Sequence, residues 1–433
     1  MSVLRKPELL SGHSSSVLCC EVNGTGQLLV SGSEDATARL WDLRTSECCQ
    51  TFEGFGDNDV TSVTFSRTHE HQLFAAAGTT VRGFDFRGGG ACDAFASYEF
   101  NRDEINQVAV NRKGTFLAAA DDSGEVKIVD LATGSVFKTL RGVHTNICSG
   151  VQFHPKKSWE VVTGGLDAKL VTWDFSKGRP LQVFDLNENA RAGSETSTQL
   201  FNPPLVHSVA TPPEDSFSDA GHMAAVSQGD GAVAVYDLDY RDRQQSGKSA
   251  SSRGAASAKG GGRSHGKSQK NSRMGDRNSD ESGRKREDAG NGGDEETSVP
   301  GRRCCFGAVH GGHKSVAAYA GFARFGDPGE FLISGGNDGC VNLWRWQETA
   351  ENRGEAEGES EGEGPSQSRS CASGDGSEDG RQVYSGARKE TAKPLLLSLR
   401  HAKKVNWLTT SPQGNGKVIV ADTSRHLRMY NFQ

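Results

Sequence analysis

The chain has 433 residues, a formal net charge of −6, 54 glycines and only 34% hydrophobic residues. That length suits one large domain or a few small ones, yet so little apolar content cannot sustain a core throughout, so part of the chain reads as loop or disorder. The mild acidity argues against a dedicated nucleic-acid binder, no apolar run approaches a membrane span, and the opening "MSVLRKPELLSGH" lacks the apolar stretch of a secretory signal.

In chain order, "VLRKPELL" (3–10) comes first, a strand-like segment with no partner nearby. A unit of three short strands follows: "SVLCCEV", "LLVSGS" (28–33) and "TARLWD". The same order recurs as "VTSVTFS", "LFAAAG" (73–78), "TVRGFD", and then as "INQVAVN", "FLAAAD" (116–121), "EVKIVD". The fourth unit reads "ICSGVQF", "EVVTGG" (160–165), "KLVTWD", and the fifth "VHSVATP", "MAAVSQ" (223–228), "AVAVYD". The sixth is "SVAAYAGF", "FLISGG" (331–336), "CVNLWR", and the seventh "VNWLTTS", "VIVAD" (418–422), "HLRMYN". The bulky residues closing the third strands are Trp41, Phe84, Val129, Trp173, Tyr236, Trp344 and Tyr430. Their first spacings are 43, 45 and 44. A period of about 44 residues is that of a propeller blade.

Later spacings stretch because polar tracts intervene. Residues 241–303 are rich in Ser, Gly, Lys and Arg, and 347–392 in Glu and Gly; a shorter tract covers 187–199. None has hydrophobic periodicity to offset the entropy of ordering, so the two long tracts are expected to be disordered insertions. The remainder divides into seven blades of about 46 residues, a single domain spanning 1–433. The seventh unit ends after three strands, so residues 3–10 are expected to supply its outer strand and close the ring, removing an exposed edge.

The ten cysteines include the neighbours Cys19/Cys20, Cys48/Cys49 and Cys304/Cys305. Adjacent strand residues point to opposite faces, so these are expected to be reduced, mostly buried thiols in an intracellular protein, cytoplasmic or nuclear. "GGRSHGKS" (261–268) satisfies a phosphate-loop pattern through Gly261, Gly266, Lys267 and Ser268. Its flanks are low-complexity tract, without the strand and helix such a loop needs, so the match is accidental. "GRKRE" (283–287) reads as solvated tract more readily than as a nuclear-import patch. The histidines show neither HExxH nor zinc spacing. No catalytic residue, metal or cofactor is expected.

"SGH" (11–13) with Asp35 and Trp41, "HTNICSGVQFHP" with "GLDAKLVTWD", and "GHKSV" with "GGNDGCVNLW" resemble the Gly-His…Asp…Trp-Asp pattern of the WD-repeat family. The resemblance implies an all-β, seven-bladed WD-repeat β-propeller. It also implies a hydrogen-bonded tetrad within a blade, which on matching positions is His13/Ser31/Asp35/Trp41, His144/Thr163/Asp167/Trp173 and His313/Ser334/Asp338/Trp344. Blades two, three and seven lack the Trp, so theirs are expected to be incomplete. "NICSGVQF" and "HAKKVNWL" (401–408) narrow the resemblance to one member of the family.

Only "WDLR" (41–44) and "FDFR" (84–87) carry Arg three residues after the bulky end, and these are consecutive blades. In this family a doubled Trp-Asp-x-Arg motif marks substrate receptors of the cullin-4 RING ubiquitin ligase, which dock on its damaged-DNA-binding-protein adaptor. The resemblance implies a non-catalytic, monomeric scaffold whose adaptor-facing patch is Trp41, Asp42, Arg44, Phe84, Asp85 and Arg87, with the opposite rim and channel mouth left for a substrate protein. A plainer reading has each Arg merely pairing with Asp42 or Asp85. The alternative function is a scaffold in an assembly unrelated to ubiquitin. There, the basic part of the first tract (241–273) touches nucleic acid weakly.

Overall fold

The computed structural model describes residues 6–88, 93–187, 202–213, 219–240, 302–306, 312–327, 329–346, 395–413 and 416–431. The long tracts, with the phosphate-loop match and the basic cluster at 283–287, lie outside them. Met1–Leu238 and Gly301–Gln433 form one unit and Asp239–Pro300 another.

The first unit is seven four-stranded antiparallel sheets. Blade one runs Val17–Val22, Leu28–Ser33, Ala38–Asp42 and Glu47–Phe52 from inner to outer strand. In blade seven the order is Val405–Ser411, Lys417–Asp422, His426–Asn431 and, outermost, Glu8–Ser11 from the start of the chain. The ring therefore closes through Glu8↔Met429 to Ser11↔His426, five residues later than residue 3, where the sequence pattern starts. The second strands are short and rich in small and aliphatic residues, which suits strands buried on both faces.

The core lies between blades rather than within one. Cys19, Val30 and Leu40 of blade one meet Val60, Leu73 and Phe84 of blade two. Leu10 and Leu427 of blade seven meet Val17, Leu29 and Trp41 of blade one. Small residues let the sheets approach. A Cβ on Gly164 would lie 2.3 Å from Val206 of the next blade, and one on Gly335 would lie 2.4 Å from Val405, which accounts for "VTGG" and "ISGG".

Every inner strand bulges after its first residue, between Val17 and Cys19, Val60 and Ser62, and likewise around the ring. The bulge frees the second residue, and four of these residues reach the next blade. Thr61 donates to the Ile105 carbonyl, Asn106 to Cys148, Ser149 to Val206 and Asn406 to Val17. Each such bond satisfies buried polar groups at a blade junction.

Two expectations need correction. Arg302–Phe306 is the outer strand of blade five, so the first tract stops before residue 302; the hydrophobic half of this strand, Cys304 to Phe306, pairs with Val235 to Val233. Of the eight free cysteines among the described residues only Cys19, Cys20 and Cys148 are buried, while Cys49 is exposed. Outer strands have one wet face, and their cysteines follow it.

Candidate functional site

Antiparallel order fixes the two faces of the ring. The first-to-second and third-to-fourth connections leave one face; the second-to-third and blade-to-blade connections leave the other. On the first face the residue after each Trp-Asp-type pair is clamped to the end of the preceding loop. Leu43 N–H donates to the Gln27 carbonyl at 2.8 Å, Phe86 to His71 at 2.9 Å and Phe175 to Trp159 at 3.0 Å.

Arg44 and Arg87 sit here, on adjacent blades. Asp42 accepts the Arg44 backbone N–H at 2.8 Å, its Nε–H at 3.1 Å and its Nη2–H at 2.7 Å. Asp85 holds Arg87 the same way, at 3.2, 2.9 and 2.7 Å. The two arginine side chains are 67% and 69% exposed. Bonds from the Arg44 guanidinium hold the Asp42 carboxyl below the usual carboxylate range, and those from Arg87 do so for Asp85. Each fork is thus paired with its own aspartate and presented to solvent. Trp41 and Phe84 are 1% exposed, so neither ring belongs to a contact surface as the sequence grouping had it. Phe84 packs on Phe52 and Phe55 at 5.0 and 5.7 Å.

Beside Arg87 a hollow of about 270 Å³ is lined by His69, Glu70, His71 and Gln72, residues the repeat pattern gave no reason to single out. A cavity of about 600 Å³ occupies the channel on this same face. Arg324 of blade six crosses it to the carbonyls of Val22 and Asn23. The channel cavity therefore lies on the same face of the ring as the arginines.

The opposite face carries the tetrads. In blade one Trp41 Nε1–H donates to Ser31 Oγ at 2.9 Å, Ser31 meets His13 Nε2 at 2.8 Å, and His13 Nδ1 meets Asp35 at 2.9 Å. Blade four repeats the chain through Trp173, Thr163, His144 and Asp167 at 2.9, 2.8 and 3.0 Å. Burial pushes the Asp35 carboxyl up, but bonds from Thr37, the Ser14 N–H and His13 outweigh it and leave it at about 2. Blade six joins His313 to Ser334 at 2.6 Å and to Asp338 at 3.0 Å. There Trp344 Nε1 finds no acceptor among the described residues; its ring lies parallel to Phe306 at 5.4 Å, and this stack sets the indole plane.

Two blades build substitutes. In blade seven His401 meets the Tyr430 hydroxyl at 2.8 Å and Asp422 at 2.7 Å, and Arg428 closes on Asp422. In blade three Asn101 donates to Asp121 at 2.8 Å. In both, the acid has moved from the turn to the last residue of the second strand. The endings "AAAD" and "IVAD" were the available signal.

A family model for the WD domain, G-beta repeat, matches residues 5–42 and 305–345, parts of blades one and six where the tetrad pattern is strongest. The chain folds as a seven-bladed β-propeller and carries WD repeats at the matched residues. It is 31% identical over 243 residues to the WD repeat-containing protein 53 homolog of Dictyostelium discoideum, a match covering 53% of this chain and 64% of that one. It is 28% identical over 185 residues to a guanine nucleotide-binding protein subunit beta of Oryza sativa subsp. japonica, covering 40% and 48%. It is 28% identical over 177 residues to THO complex subunit 3 of Arabidopsis thaliana, covering 40% and 53%. Each match spans less than two thirds of the relative. WD-repeat propellers are protein-interaction scaffolds, typically without catalysis. No helix among the described residues is long and apolar enough to cross a membrane.

Proposed function

We propose that this scaffold is a substrate-receptor subunit of a cullin-4 RING ubiquitin ligase, docking on the damaged-DNA-binding-protein adaptor through Arg44 and Arg87. The observation that carries the reading is the repeated fork: two guanidiniums, held alike by Asp42 and Asp85, exposed on one face of adjacent blades. A planar fork offers paired donors to a partner's carbonyls or carboxylates, and arginine is enriched where interfaces bind most strongly. Pairing with the aspartate holds each fork in one rotamer, which lowers the ordering cost on binding. The substrate is a protein held elsewhere on the ring. The names of the relatives span other assemblies, a G-protein subunit and a THO complex subunit, so the rival is a scaffold outside ubiquitin chemistry. Biolayer interferometry of the full-length chain against the purified adaptor separates the two. Binding that falls when both arginines are reversed to Glu supports the proposal; wild-type protein that does not bind overturns it.

A further inference from the structure

The same face carries a second surface, on blades three and four, that the fold does not require. Trp159 ends the first connection of blade four, and its backbone carbonyl accepts the Phe175 N–H. At the matching place blades one, two, three and five make that bond from Gln27, His71, Thr115 and His222. The indole is therefore not needed for the clamp, yet it stands 48% exposed. Phe137 comes from the outer strand of blade three, Ser135–Leu140. That strand bulges as it passes Ile128 and Val129, and Phe137 is the unpaired residue. The bulge turns its ring toward blade four, where it lies 6.1 Å from Trp159 with the planes 31° apart. Phe116 and Phe175 back both rings at 5.0 to 6.2 Å. Phe137 and its neighbour Val136 are 38% and 36% exposed. One continuous apolar island thus faces water, which marks an interaction site when rimmed by polar groups.

The rim is basic. Lys138 lies across the blade four turn, its Cδ 3.0 Å from where a Cβ on Gly178 would be. Lys177 pairs with Asp174 at 3.0 Å and is 62% exposed; Lys157 pairs with Glu160 at 3.3 Å. Lys156 and, in the turn leading into Phe116, Lys113 are exposed. Asp130 caps the Ala132 and Thr133 N–H groups. The nearby carboxylates are thus engaged, and cations outnumber them.

We propose that Phe137 and Trp159 anchor an acidic segment of a partner protein, its apolar side chain seated on the rings and its carboxylates on Lys138 and Lys177. Tryptophan is among the strongest interface anchors, and complementary charge selects the partner. The surface is separate from the arginine forks and stands without them. The test pans a phage library of random 12-residue peptides on the immobilised full-length chain, with Trp159→Gln as counter-selection. Recovered sequences should combine two or more Asp or Glu with a Leu, Phe or Trp. A synthetic peptide of the best sequence should bind in fluorescence anisotropy and lose at least about tenfold with Trp159→Gln, and again with Lys138→Glu/Lys177→Glu. Trp159→Gln should melt with the wild type, and Arg44→Glu/Arg87→Glu should bind the peptide as the wild type does. Recovery of no Trp159-dependent peptide, recovery of basic ones only, or displacement of the peptide by oligothymidylate overturns the proposal.

Discussion

Trp41, Trp173 and Trp344 occupy one place in the repeat but are held differently. The first two donate to Ser31 and Thr163; the third donates to nothing described. Replacing each by Phe removes similar area, so the difference reports the hydrogen bond. Trp41→Phe and Trp173→Phe should each cost about 1 kcal/mol more than Trp344→Phe in urea unfolding; equal costs would show that the indole bond contributes nothing. Blade seven makes a pH prediction. Burial, with help from Arg428, lowers His401 from 6.5 to about 4. The folded pKa lies below the unfolded one, so above pH 6.5 both states are neutral and stability is complete. As pH falls from 6.5 to 4 the unfolded chain takes up a proton that the native state refuses, and stability drops, by at most about 1.4 kcal/mol per pH unit for one group. His401→Gln should be less stable at pH 7.5 and lose less between pH 7.5 and 4.5; parallel losses would refute the assignment. The His–Ser/Thr–Asp chains of blades one, four and six were legible through the family resemblance, which assigns them by matching position. The blade seven chain was not, because its acid moved along the strand, and the unpaired Trp344 was not, because ring orientation depends on Phe306 from another blade.

Strand legibility follows burial. Inner, second and third strands are buried on both sides and read as apolar runs, so all seven sets are visible in the sequence. Outer strands alternate or break that pattern, as in the exposed start of Ser135–Leu140 and the half-buried Leu395–Arg400. The outer strand of blade five sat hidden at the end of a basic tract for this reason. The outer strand of blade seven was inferred from arithmetic alone, since one blade was a strand short. Its contribution is concentrated in Leu10, which is fully buried between Leu427, Met429 and Trp41. Leu10→Ala should therefore cost about 2–5 kcal/mol, as core leucines do, whereas exposed Leu9→Ala should cost little. Deleting Glu8–Ser11 should do more than either, because it also leaves the edge of His426–Asn431 unpaired. A deleted chain melting with the wild type would mean that the ring holds without closure.

Over the whole ring, strand direction decides which groups share a face, and no local motif states it. The arginines, the channel cavity and the Trp159 island all lie on the face of the third-to-fourth turns, while the tetrads support the other. The docking reading can be tested at this scale because Arg44 and Arg87 contribute through exposed atoms only. Their ion pairs with Asp42 and Asp85 are surface pairs, of a kind that stabilises folds little, so Arg44→Glu and Arg87→Glu should melt within about 1–2 °C of the wild type. Each reversal removes the fork and places a second carboxylate beside the first, so a partner's acceptors meet repulsion where they met donors. Capture of the cullin-4 adaptor should weaken roughly tenfold or more for each and vanish in a pull-down for the double variant. Rising ionic strength should weaken the wild-type association in the same direction. Arg425 provides the control: it is exposed in the second-to-third turn of blade seven, on the opposite face, so Arg425→Glu makes the same change of charge and should leave capture intact. If Arg425→Glu weakens binding as much as Arg44→Glu, net charge rather than the paired forks governs association. If the folded double variant binds like the wild type, the two forks are surface ion pairs and nothing more.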